Sequence, residues 1–117
     1  MHYPEWNNQT LKAFLNEASL EIIVFKGDER SKEVAKHSYL WHQSPDEAIA
    51  FIKKVSHKDA EAIVLPCTAW RTFEAIAQLE AELNIPVITA NQATIWSLAK
   101  HAALEFALHP KSILFDS

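Results

Sequence analysis

Glycine is almost missing from this chain: Gly27 is the only one in 117 residues. Phosphate-cradling loops need several glycines where the backbone closes on a ligand. Neither GxGxxG nor GxxxxGKS/T can therefore exist here, which excludes the commonest nucleotide-binding roles of α/β proteins. Cysteine is just as scarce. Cys67 stands alone, so no internal disulfide can form, and a lone free thiol fits a reducing, cytoplasmic setting. No apolar run approaches the ~20 residues that span a bilayer. The opening MHYPEWNNQT has neither the basic start nor the apolar centre of a signal peptide, so no membrane partner is expected. Basic residues number 11 against 15 acidic ones, a net charge of −4, and they are not clustered; nucleic acid is not an expected partner.

What is present has the balance of a soluble globular domain, with 49% hydrophobic and 22% charged residues. The length allows one domain at most. Pro4 and Glu5 suit the start of a helix, and Leu11, Phe14 and Leu15 have helical spacing up to about Ala18-Ser19. Leu20–Phe25, reading LEIIVF, is short and β-branched, and so reads as a buried strand. Lys32–Tyr39 has room for a short helix. Ser44-Pro45-Asp46-Glu47 is a helix start with a capping box, followed by the apolar stripe Ala48, Ile49, Ile52 and Val55.

The stretch from Ala62 to Trp96 carries the most information. Ala62–Leu65 reads as a strand ending at Pro66. Trp70–Leu83 reads as a helix that buries Phe73, Ile76, Leu79 and Leu83 and exposes Arg71, Glu74, Glu80 and Glu82. Asn84 suits a left-handed helix end, and Pro86–Thr89 reads as the next strand. Asn91 then opens a last helix with Ile95, Leu98, Ala99, Ala102 and Phe106 inward, stopped at His109-Pro110. Ser112–Phe115 is a short apolar tail. This alternation implies an α/β fold: a three-layer sandwich around a short parallel sheet of three to four strands with right-handed crossovers. The chain opens on a helix with no strand ahead of it, as if a first strand were missing.

Cys67 follows a strand and precedes a helix, at the sheet edge where open α/β folds place ligand sites. Backbone N–H groups of Thr68 and Ala69, next to a helix start, suit a carboxylate or enolate oxygen, and a thiol there can exchange a proton with carbon. The plainer account of Cys67 is a small buried apolar residue. His37 and His42 are five apart, which does not share a helix face, and no metal site is expected. Tyr39, Trp41 and Trp6 suit packing or an interface. Asn91 and Gln92 fall in the turn after the third strand, and a plain N-cap explains Asn91 equally well.

PCTAWRT, the Leu79-Glu80 pair, IPVITANQATIW and the closing SILFDS together resemble the second half of the aspartate/glutamate racemase superfamily. The branch they are most similar to is that of the maleate cis-trans isomerases and arylmalonate decarboxylases. HYPEWNN is similar to the TPYxxxxN motif at the start of that half, matching Tyr3 and Asn8. The resemblance spans nearly the whole chain. It implies one half of a pseudosymmetric two-domain fold, truncated before its first strand, so that residues 1–117 form a single α/β domain. It also implies cofactor-independent proton transfer at the α-carbon of a small dicarboxylic or malonate-type acid. Cys67 matches the thiol that acts as acid or base; Thr68, Tyr3 and Asn8 match positions that hold substrate carboxylate. Such sites are built from two halves, so association with itself or with a first-half chain is expected. The competing expectation is a non-catalytic fragment or interaction module that keeps only the fold.

Overall fold

The capping box that marks Ser44 in the sequence forms as written. In the computed structural model, which describes residues 5–27, 43–104 and 111–117, the Ser44 hydroxyl accepts the Glu47 N–H, and the Glu47 carboxylate accepts the Ser44 N–H. Helix α2, Pro45–Val55, starts there, with its first-turn acids and last-turn lysines matched to the helix dipole. Ahead of it runs α1, Glu5–Glu17. Beyond it come strand β1, Ile63–Leu65, a 3₁₀ turn at Phe73–Ala75, helix α3, Ile76–Leu83, strand β2, Val87–Thr89, and helix α4, Ala90–His101. The two strands pair in parallel, with Ile63 opposite Val87 and Leu65 opposite Thr89. The α/β arrangement around a parallel sheet is thus the one expected.

The core forms where these elements converge. Ala48 and Ile52 of α2, Ile76 and Leu79 of α3, and Val87 of β2 are fully buried, with Leu65, Cys67 and Trp70 packed among them. Phe51 meets the Trp70 ring edge-on at 5.8 Å. An ion pair between Lys53 and Glu82 ties α2 to α3 at the surface.

Several expectations need correction. Leu20–Phe25 is irregular rather than a strand, and the described residues hold two strands, not three. The residue types favour β structure, but the ladder needs a neighbour. This segment instead faces β1 across a groove, with Leu20, Ile23 and Val24 exposed. The helix expected from Trp70 begins at Ile76, because Trp70 is drawn into the core and the chain first turns through Thr72. Asn84 ends α3 in the left-handed region as expected, φ 54°. Asn91 does not cap α4. Thr89 does, its hydroxyl accepting the Gln92 N–H while Gln92 accepts the Thr89 N–H. On α4, Ala99 is buried, but Ile95, Leu98 and Ala102 are exposed; the inward position is Gln92. Glu80 is buried rather than exposed. Tyr3, the expected short helix over Lys32–Tyr39, His37, His42, Tyr39, Trp41, Phe106, and the stop at His109-Pro110 lie outside the described residues. Among the described residues no helix is long and apolar enough to cross a membrane.

Candidate active site

Pro66 has no N–H to extend the β1 ladder, and the chain leaves the sheet there. The next four residues close a turn, with the Trp70 N–H donating to the Cys67 carbonyl at 3.4 Å. Cys67 is only 4% exposed, at the carboxyl end of the sheet. Thr68 and Ala69 project into solvent, and Trp70 folds back against Phe51. The 3₁₀ turn and α3 follow only after Thr72, so the helix that starts after Cys67 does not set its dipole directly on the thiol.

The turn is tied instead to a different helix, α4. Leu65 is opposite Thr89, so the residues two beyond each, Cys67 and Asn91, emerge together at the carboxyl edge of the sheet. The Asn91 side-chain amide donates to the Thr68 carbonyl at 3.0 Å. This bond fixes the turn behind Cys67 against the first turn of α4. Asn91 is therefore a strut for the turn rather than a helix cap. The sequence offered a signal for this: Thr89-x-x-Gln92 is itself a capping-box pattern, which leaves Asn91 available for another partner.

A second network ties the start of β2 and the first turn of α4 to the closing segment of the chain. The buried Glu80 carboxylate accepts the Val87 N–H at 3.0 Å and the Ile113 N–H at 2.9 Å. Gln92, fully buried, donates to the Ser112 hydroxyl. Phe115 stacks at a tilt on Phe73 with ring centres 6.3 Å apart, and Lys100 donates to the Ser117 carbonyl at 2.8 Å. The closing segment 111–117 is thus a strap binding α3, β2 and α4 together. Glu80 is thus a structural group that holds backbone N–H groups of β2 and of the closing segment.

The other candidate residues fall as follows. Asn8 sits on α1 and is buried, and its side-chain oxygen has no hydrogen-bond partner among the described residues. It shares a helix face with Leu11 and Leu15, which line the same groove as Cys67. Tyr3 lies outside the described residues. Beside the turn, Arg71 bonds Glu74 at 2.9 Å, and that guanidinium holds the Glu74 carboxyl below its ordinary value. Among the described residues no group of three or more His, Cys, Asp or Glu side chains is gathered to hold a metal.

The sequence pattern of one family, arylmalonate decarboxylase, matches residues 1–115. The chain belongs to the arylmalonate decarboxylase family. A search of curated proteins found no match. Among solved structures, a crystal structure of arylmalonate decarboxylase superposes with a TM-score of 0.84 at 23% identity, covering 98% of this chain and 50% of that one. An unliganded arylmalonate decarboxylase gives 0.80 at 23% identity, over 97% and 49%. A glycine-to-cysteine mutant of arylmalonate decarboxylase in a sulfate-associated form gives 0.64 at 26% identity, over 98% and 49%. The chain therefore spans about half the length of the solved arylmalonate decarboxylases it matches, consistent with one half of a two-domain fold.

Proposed function

We propose that this chain supplies the thiol-bearing wall of a cofactor-independent decarboxylase acting on malonate-type acids, with Cys67 as the proton donor. When such an acid loses carbon dioxide, the bond from the α-carbon to one carboxyl breaks and its electron pair passes into an enediolate on the remaining carboxyl. The Cys67 S–H then gives its proton to the α-carbon, and the thiolate regains one from solvent, so that charge and atoms balance. Thr68 and Ala69 would offer backbone N–H groups to the remaining carboxylate, Asn8 its side-chain amide and Tyr3 its hydroxyl. The observation that carries this reading is the Cys67–Trp70 turn at the carboxyl end of β1, pinned through Thr68 by Asn91. Catalysis at a small dianion needs groups on both sides of the carbon, so the second wall comes from the half that this chain does not cover.

A second reading keeps the fold without the chemistry, and the close packing of Cys67 with core residues favours it. Alkylation by iodoacetamide separates the two. In the chain paired with a relative's complementary half, an arylmalonate should protect Cys67 from alkylation, read by mass spectrometry. Equal labelling with and without the acid supports the fold-only reading.

A further inference from the structure

Residues 66–72 carry Cys67 on a segment that is neither helix nor strand, so the place of the thiol depends on what ties that segment down. The turn itself is closed by the Trp70 N–H on the Cys67 carbonyl at 3.4 Å, the long end of the hydrogen-bond range and a weak closure. Asn91 supplies a firmer tie through the Thr68 carbonyl at 3.0 Å. Asn91 is exposed and stands on the first turn of α4. Its hold on Thr68 is therefore only as firm as the position of that helical turn.

That position is set from the closing strap. Gln92, the next residue, is fully buried. Its backbone N–H donates to the Thr89 hydroxyl at 3.1 Å and its side-chain oxygen accepts the Thr89 N–H at 3.2 Å. The NH₂ of the same amide donates to the Ser112 hydroxyl. Ser112 is 4% exposed, and its hydroxyl also accepts the Phe115 N–H at 3.2 Å, so both acceptor positions of the oxygen are used. A planar amide cannot lose one end without strain on the other. Removing the Ser112 oxygen leaves a buried NH₂ without an acceptor, which favours turning the amide away from Thr89 and loosening the start of α4.

We infer that Ser112 is a positioning residue for Cys67, acting through Gln92 and Asn91 on the Thr68 carbonyl. Among the described residues Ser112 has no hydrogen bond to residues 66–72, so the effect passes through α4. Its bearing on catalysis rests on the reading of Cys67 as proton donor: a displacement of about 1 Å at a reacting group can cost about a hundredfold in rate. The strap thus holds the thiol where a proton can be delivered.

The test is a double-substitution cycle in the 117-residue chain, with Ser112→Ala and Asn91→Ala made singly and together. Iodoacetamide alkylation of Cys67, the single free thiol, is followed by mass spectrometry at urea concentrations well below the unfolding midpoint. A buried thiol reacts through local opening, so the rate reports how firmly the turn is held. Each single substitution should raise the rate about fivefold. In the Asn91→Ala background, Ser112→Ala should add less than about twofold, because the route it acts through is already cut. Where Ser112→Ala does not fold, Gln92→Met breaks the same link from the other side and takes its place in the cycle. Equal factors in both backgrounds would overturn the inference and leave Ser112 a general structural group. So would an unchanged rate in a Ser112→Ala chain whose urea midpoint has fallen. Alkylation reads the placement of the thiol whether or not the chain decarboxylates anything, so failure of the decarboxylase reading is a separate result.

Discussion

Replacing Glu80 by glutamine exchanges one carboxylate oxygen for an NH₂ and tests how strand β2 is held to the closing segment. The carboxylate accepts two backbone N–H groups, from Val87 in the buried strand β2 and from Ile113 in the closing strap. Hydrogen bonds to a charged acceptor contribute about 1.5–3 kcal/mol each, against about 0.5–1.5 for neutral ones. Glutamine keeps one acceptor oxygen but turns an NH₂ toward the other N–H. One bond thus weakens by about 1 kcal/mol and the other is lost, for a total of about 2–4 kcal/mol. Folding stabilities of domains this size are about 5–15 kcal/mol, so the Tm should fall by about 5–15 °C. Urea unfolding gives the free energy, and amide exchange at Ile113 and Phe115 shows whether the strap is released first. A loss below about 0.5 kcal/mol, or unchanged exchange at Ile113, would refute the claim that Glu80 holds strand and strap together.

Two further outcomes concern the turn and the surface charges. Asn91→Ala removes the donor to the Thr68 carbonyl and leaves the Thr89–Gln92 cap intact, so it should cost only about 0.5–1.5 kcal/mol while raising the rate of Cys67 alkylation in the native chain; an unchanged rate would show that Asn91 does not restrain the turn. The carboxyl groups of Glu74, bonded by Arg71, and of Glu82, bonded by Lys53 and then Gln78, titrate below their ordinary value of 4.5. Their contribution is therefore fully present above about pH 4.5 and fades as the pH falls through their lower folded values. Both pairs are exposed, so the effect is small and screened by salt. Arg71→Gln should flatten part of the acid dependence of the Tm, and an unaltered profile would remove the pair from the account.

What could be read in the sequence was what its local chemistry decides. Ser44, Pro45 and Glu47 cap a helix within four residues, and Asn84 takes its left-handed turn without help from afar. The place of Cys67 at the end of a strand followed from Pro66 and the apolar run before it. Two of the misreadings, Leu20–Phe25 and Glu80, depended on a distant partner. Leu20–Phe25 has the side chains of a strand, but a ladder is made by its neighbour. Glu80 looked like a surface residue on the exposed face of its helix, because its second partner, Ile113, is 33 residues away. Asn91 was open to being read as a cap because the true cap, Thr89, is also the last residue of a strand. The apolar residues Ile95 and Leu98, expected inside, lie on an open face of α4; a helical period marks a face but not what covers it.

The central claim is that Cys67 is the proton donor of a site completed by a second half. The most direct measurement is carbon dioxide release from an arylmalonate by this chain co-produced with the complementary half of a solved relative, comparing the native sequence with Cys67→Ala. Loss of a positioned general acid slows proton transfer by about 10²–10⁴, so the pair should turn over with Cys67 and fall by that factor without it, while the chain alone stays silent. Turnover that survives Cys67→Ala in the pair would contradict the account.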